Sequence, residues 1–166
     1  DHALLEIEDP LGQTPLKNIY DDSGRMIAQE DAEGNRTEYN HNIDGRQSVV
    51  TDRLGRTTLL YYDERGNVTT TVDALGNTST ASFDGNDNPL TQTNALGHTT
   101  SMTWDEEDNQ LTQTDPLGNT VSYAYNSLGK ETEITDELGR VYQNSYDVVG
   151  NLLSIEDPDG NIAGNN

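Results

Sequence analysis

The chain has 166 residues and a formal charge of −21, from 30 Asp and Glu against 9 Lys and Arg, so phosphate backbones and anionic lipid surfaces are repelled, and nucleic-acid binding and membrane insertion are set aside. It has no cysteine, which excludes a disulfide frame, a thiolate zinc site and a cysteine nucleophile, and no apolar run approaches the roughly 18 residues of a membrane span. Leu, Ile, Val and Phe supply only 32 of 166 residues, a composition that stays disordered unless a regular pattern organises it.

Such a pattern runs the length of the chain. Residues 1–13 read as a partial repeat, because Leu4-Leu5-Glu6-Ile7-Glu8-Asp9-Pro10-Leu11-Gly12 parallels Leu152-Leu153-Ser154-Ile155-Glu156-Asp157-Pro158-Asp159-Gly160. One extra residue before Tyr20 predicts a bulge near Pro15. From 14 to 157 the array is regular. A ring followed by Asp or Asn recurs every 21 residues, at Tyr20-Asp21, His41-Asn42, Tyr62-Asp63, Phe83-Asp84, Trp104-Asp105, Tyr125-Asn126 and Tyr146-Asp147. A second column with the same period runs through Asp31, Asp52, Asp73, Asn94, Asp115, Asp136 and Asp157.

Three residues after these openers stands Gly: Gly24, Gly34, Gly45, Gly55, Gly66, Gly76, Gly97, Gly118, Gly129, Gly139, Gly150 and Gly160. The two exceptions carry Asp87 and Asp108, and Asp is among the few other residues that tolerate a left-handed backbone. Asp or Asn at the first position with a positive-φ residue at the fourth is the chemistry of a type I turn closing a hairpin. Between turns, six- or seven-residue segments rich in Thr, Val, Tyr and Leu alternate with period two, so that Thr58, Leu60 and Tyr62 align with Thr100, Met102 and Trp104 and with Val121, Tyr123 and Tyr125. No stretch is long enough for a helix. The expectation is all-β: about seven hairpin repeats, some fourteen short strands, in one continuous antiparallel sheet that twists or spirals. Residues 158–166 form a partial repeat turn and a ragged end, so the chain reads as a piece of a longer array.

The residues now in hand, Tyr-Asp-x-x-Gly-Arg/Asn, a strand, then Asp-x-x-Gly-Asn/Arg, resemble the RHS or YD repeats of bacterial Rhs proteins, wall-associated proteins, Tc toxin complexes and teneurins. The unit most like them runs from Tyr62-Asp63 through Gly66-Asn67 to Asp73-Ala74-Leu75-Gly76-Asn77. The resemblance implies a secreted or cell-surface bacterial protein whose hairpin sheet forms a wall around a toxin or other cargo, with the rest of its own array as partner. Asp157-Pro158-Asp159-Gly160-Asn161 lacks the Leu of the family's Asp-Pro-x-Gly-Leu cleavage stretch and sits in ordinary repeat register, so autoproteolysis and toxicity are not carried over.

Chemistry-bearing groups receive plain structural readings. Rings spaced along a sheet could stack on sugars, but each also supplies the large buried area that a Thr-rich strand lacks, and His41 then packs as a substitute ring. The turn carboxylates invite calcium, yet members of one column lie about 9 to 10 Å apart, too far to share an ion. Nucleophile-elbow and zinc-helix motifs are missing, and the paired Glu106-Glu107 reads as a solvated turn. No catalytic, cofactor or metal residue is assigned. The other reading is an adhesin or fibre that binds glycan or protein, or that self-associates through its sheet edges, where Leu4, Leu5 and Ile7 form an end strand guarded only by Glu6 and Glu8.

Overall fold

The computed structural model describes residues 6–7 and 16–164. The repeating turn sets the architecture. In the Asp63 turn, the Gly66 N–H donates to the Asp63 carbonyl at 3.3 Å and the Asp63 N–H donates to the Asn67 carbonyl at 2.9 Å. Gly66 takes φ 97°, the left-handed region open to glycine. This is a three-residue loop, a type I turn followed by a left-handed residue that makes a bulge. One pair further into this hairpin the register slips between Tyr61 and Tyr62, with Tyr61 opposite Thr70 and Tyr62 opposite Val68, whereas the hairpin closed by the same kind of turn at Asp73 stays in register. The same slip falls at Tyr20, Trp104, Tyr125 and Tyr146. The bulge expected near Pro15 lies outside the described residues.

With every connection so short, each strand can pair only with its chain neighbours. The result is a sheet of 16 strands whose order follows the chain. Contacts divide the chain into two units, Asp1–Thr80 and Ala81–Asn166. The first holds β1 (Glu6–Ile7), β2 (Leu16–Tyr20), β3 (Met26–Asp31), β4 (Arg36–Asn42), β5 (Gln47–Thr51), β6 (Thr57–Tyr62) and β7 (Val68–Val72). β8 (Thr78–Phe83) crosses the boundary. The second holds β9 (Pro89–Thr93), β10 (Thr99–Trp104), β11 (Gln110–Thr114), β12 (Thr120–Tyr125), β13 (Glu131–Thr135), β14 (Val141–Tyr146), β15 (Leu152–Glu156) and β16 (Ile162–Gly164). The count exceeds the expected fourteen because the partial repeats at both ends add strands.

One turn departs from the pattern. Gly45, expected to supply the left-handed residue, does not; Arg46 does, at φ 48°. β4 and β5 pair without a bulge, His41 opposite Ser48 and Asn42 opposite Gln47, leaving a four-residue loop closed by the Arg46 N–H on the Ile43 carbonyl at 3.0 Å. The physical reason lies at His41, whose ring meets the Ser48 hydroxyl at 2.8 Å only when the two stand directly opposite. Asp87 and Asp108 adopt φ 71° and 64° where glycine is missing.

Little of the sheet is buried. Among the described residues Ala28 (0% exposed), Ser48 (4%) and Met102 (8%) are the buried ones. Within each unit, among the described residues, strands contact only strands that precede or follow them in the chain, which leaves little to bury. Stability therefore rests on hairpin hydrogen bonds and same-face side-chain rows more than on a sequestered core.

The turn carboxylates contribute. In the turns opened by Asp31, Asp73, Asp105, Asp115 and Asp157, a side-chain hydrogen bond from the Asn four residues on is the main cause holding each carboxyl below its ordinary value. A depressed folded pKa adds stability that is complete above the unfolded value of about 3.9 and is lost as the pH falls through the folded value. Neutralising the other acids relieves self-repulsion and opposes this trend. The informative comparison is between the wild type and a variant with Asn at positions 31, 73, 115 and 157. Melting temperature followed from about pH 5 down to about pH 2 should fall less steeply in the variant; parallel curves would remove the turn carboxylates as acid-sensitive elements.

Candidate functional site

The ring column stands at the ends of β2, β6, β8, β10, β12 and β14 and one residue before the end of β4, and period-two alternation puts each ring on the same face of its strand. Tyr20, His41, Tyr62, Phe83, Trp104, Tyr125 and Tyr146 are each half-buried, never fully covered. Several carry a polar contact that the sequence did not disclose. Trp104 Nε1–H donates to the Pro89 carbonyl at 2.8 Å, Tyr125 Oη–H to the Gln110 carbonyl at 2.9 Å, and Tyr146 Oη–H to the Glu131 carbonyl at 2.9 Å. In each case the acceptor is the first residue of the preceding strand, 15 positions back. The cause is the pairing pattern: β9 and β10 pair only over Thr91–Thr93 and Thr99–Ser101, so beyond Ser101 the ring of Trp104 reaches the carbonyl that this ladder leaves.

His41 makes the same contact through Nε2, 2.9 Å from the Met26 carbonyl, and its Nδ1 faces Ser48 Oγ. A carbonyl cannot donate, so Nε2 carries the proton and Nδ1 accepts from Ser48 in the neutral ring. Both nitrogens are thereby engaged inside the sheet. A cleft of about 520 Å³ opens beside this ring, lined also by Arg46, Tyr62 and Glu64. Its Arg46–Glu64 pair, 2.8 Å apart and largely exposed, is a surface pair that contributes little. Ser48 does stand next to the His41 Nδ1, but the residue is only 4% exposed and the other ring nitrogen is held by the Met26 carbonyl, so the pair packs as part of the sheet.

The opposite face is a hydroxyl carpet. In the second unit, Ser82 and Thr91 (2.6 Å), Thr93 and Thr99 (2.8 Å), Thr103 and Thr112 (2.7 Å), Thr114 and Thr120 (2.8 Å) and Ser145 and Ser154 (2.7 Å) pair hydroxyl to hydroxyl across strands. The alternation that puts rings on one side puts these on the other.

At the turns, each opening Asp or Asn uses one side-chain oxygen to accept two backbone N–H groups. Asp115 Oδ1 takes those of Leu117 at 2.8 Å and Asn119 at 2.9 Å, while Oδ2 takes Asn119 Nδ2 at 2.8 Å. Asp21, Asp31, Asp52, Asp63, Asp73, Asp84, Asp105, Asp136 and Asp147 accept the corresponding backbone pair. The Asn that follows Gly34, Gly66, Gly76, Gly118, Gly150 and Gly160 was the missed partner, and its recurrence in step with Asp was the available signal; Arg56 and Arg140 do the same work through Nε at 2.7 Å. Among the described turns Asn42 departs, with Oδ1 accepting the Gly45 N–H at 3.0 Å.

Among the described residues no group of three or more His, Asp or Glu side chains could hold a metal ion. Thermal melts with and without excess chelator are accordingly expected to coincide, since a bound ion would raise stability by mass action; a marked drop on chelation would show that turn acids converge on an ion.

The family profile described as RHS Repeat matches residues 44–78, 83–120, 105–141 and 125–162. The chain belongs to the RHS repeat family. Solved structures similar to this RHS chain include the TcdB2-TccC3-Cdc42 crystal structure, at 14% identity and TM-score 0.71 over 90% of this chain and 10% of that one. TcdB2-TccC3 without its hypervariable C-terminal region matches at 14% identity and TM-score 0.70, over 93% of this chain and 10% of that one. The Photorhabdus luminescens Tc holotoxin pore matches at 15% identity and TM-score 0.71, over 88% and 9%. The chain thus spans about a tenth of the length of the structures it resembles, and at these identities the likeness is one of fold. No curated protein matches.

Proposed function

We propose that this chain is a non-catalytic stretch of RHS wall, a single β-layer that separates an enclosed cargo polypeptide from solvent in a secreted or cell-surface bacterial protein. The observation that carries this reading is that, within each unit, the described strands contact only their chain neighbours. The sheet's register is fixed turn by turn through Asp and Asn side chains, and Trp104, Tyr125 and Tyr146 spend their polar atoms on its own backbone. A wall needs a hydrogen-bonded barrier that holds its shape without a second layer, and these two devices provide it locally. Membership of the RHS family and the likeness to structures containing TccC3 support the assignment. The glycan-binding reading draws less support, because the ring N–H or O–H groups of His41, Trp104, Tyr125 and Tyr146 that would recognise sugar hydroxyls are occupied by carbonyls.

Limited proteolysis of a longer polypeptide carrying this array tests the proposal. A segment behind the wall should resist digestion while the array is folded and become cleavable when the turns are opened by Asp→Ala substitutions. Equal digestion in both states would overturn it.

A further inference from the structure

Each unit has a cleft between two consecutive ring-edge turns, and the two clefts occupy the same place in the repeat, with Tyr62 in one standing where Tyr125 stands in the other. In the first unit the cleft of about 520 Å³ lies between the turns after β4 and β6. Its carboxylates include Asp63 and Glu64, and the chain supplies the counter-ions itself: Arg46 reaches Glu64 at 2.8 Å and Arg65 reaches Asp63 at 3.6 Å. In the second unit the cleft of about 630 Å³ lies between the turns after β10 and β12, and its carboxylates belong to Asp105 and Glu107. Asn109 and Leu128 stand there in the repeat positions of Arg46 and Arg65, and no Lys or Arg lines the cleft. Lys130, the next base along the chain, lies along the following ring-edge turn, where a Cβ built on Gly150 would be 3.1 Å from its Cε.

The second cleft therefore has the surroundings of a cation without the cation. Asp105 spends its oxygens on the Glu107 and Asn109 N–H groups and the Asn109 side chain, so it supplies charge more than a free acceptor. Glu107 offers an exposed carboxylate that no basic side chain of the cleft meets, and Tyr123 and Leu111 add a ring and an apolar wall. Burial first, then the charges of Glu131, Tyr123 and Asp105, hold the Tyr125 hydroxyl above its ordinary value, as a negative cleft should. A bare metal ion fits poorly, since no group of three or more His, Asp or Glu among the described residues could hold one. A guanidinium fits well: it is planar and weakly hydrated, and it stacks on a ring while donating to a carboxylate. The equivalent cleft already takes one, from Arg46. We propose that the Glu107 cleft binds the guanidinium of an arginine side chain presented by another polypeptide segment. This goes beyond the wall reading and does not depend on what the array encloses. With one free carboxylate and an open ring, affinity should be about millimolar.

Titration of the isotope-labelled chain with N-acetyl-arginine amide at constant ionic strength, followed by NMR, gives the test. Saturable shifts should centre on Glu107, Tyr123 and Tyr125, and N-acetyl-citrulline amide, the neutral isostere, should leave these signals in place. Glu107→Gln should weaken binding at least about threefold, with an unchanged melting curve because the side chain is exposed. Arg46→Ala, which removes the guanidinium that the first cleft carries, should create a second saturable site at Glu64. Shifts that rise linearly and equally at other acidic turns such as Asp115 and Asp157 would mean diffuse counter-ion attraction and overturn the inference. So would citrulline acting as well as arginine, a Glu107→Gln chain that binds like the wild type, or an Arg46→Ala chain with no new site. None of these results touches the wall reading, which stands or falls on the proteolysis experiment.

Discussion

Trp104→Ala is expected to destabilise the chain by about 2 to 3 kcal/mol, measured as a shift in urea-unfolding midpoint. Truncating a fully buried Phe or Trp costs about 3 to 5 kcal/mol, and Trp104 is only half-buried, which lowers the burial share. The indole N–H bond to the Pro89 carbonyl, 2.8 Å long, adds about 1 kcal/mol. Trp104→Phe separates the two: it keeps most of the ring and loses the bond, so a cost near 1 kcal/mol is expected. Because each hairpin contacts only its neighbours, the loss should be local and should broaden the transition. A change in Trp104→Ala below about 0.5 kcal/mol, the range of an ordinary surface site, would refute a stabilising role for the ring column.

The second large effect is expected at a turn. Asp115→Ala deprives the Leu117 and Asn119 N–H groups and the Asn119 side chain of their shared acceptor. By analogy with removal of a helix cap, the cost should be about 1 to 2 kcal/mol. Asp115→Asn should cost well under half of that, because Asn94 and Asn126 already perform the same capping at 2.9 to 3.1 Å. Gly118→Ala isolates the backbone contribution. Gly118 sits at φ 89°, and a Cβ added there would meet nothing within 4 Å, so its expected cost of about 1 kcal/mol is conformational and not steric. Equal melting of Asp115→Ala and wild type would mean that Thr114–Thr120 pairing alone fixes the hairpin.

Some of this molecule is dictated by chain-local chemistry. Asp or Asn followed three residues later by Gly closes a hairpin wherever it stands, and six-residue segments with period-two alternation leave the chain no option but strands, so the all-β order of neighbouring hairpins follows from Asp63-Glu64-Arg65-Gly66 and its counterparts. The 21-residue columns placed the rings on one face for the same reason: strand parity is a property of spacing. Other features depend on register, which a one-residue slip alters. The bond from Trp104 to Pro89 joins residues 15 apart, and it exists because the ladder between β9 and β10 ends at Ser101. At His41 the sequence holds the same Asn-x-x-Gly signal as elsewhere, yet two closures of the loop are available, one bulged with glycine left-handed and one unbulged with the next residue left-handed. Contact with Ser48 across the sheet selects the second and puts Arg46 at positive φ. The 87% exposure of Leu75 and of Leu117 was likewise beyond any local rule, since whether a turn side chain is covered depends on what packs against it and not on its neighbours in sequence.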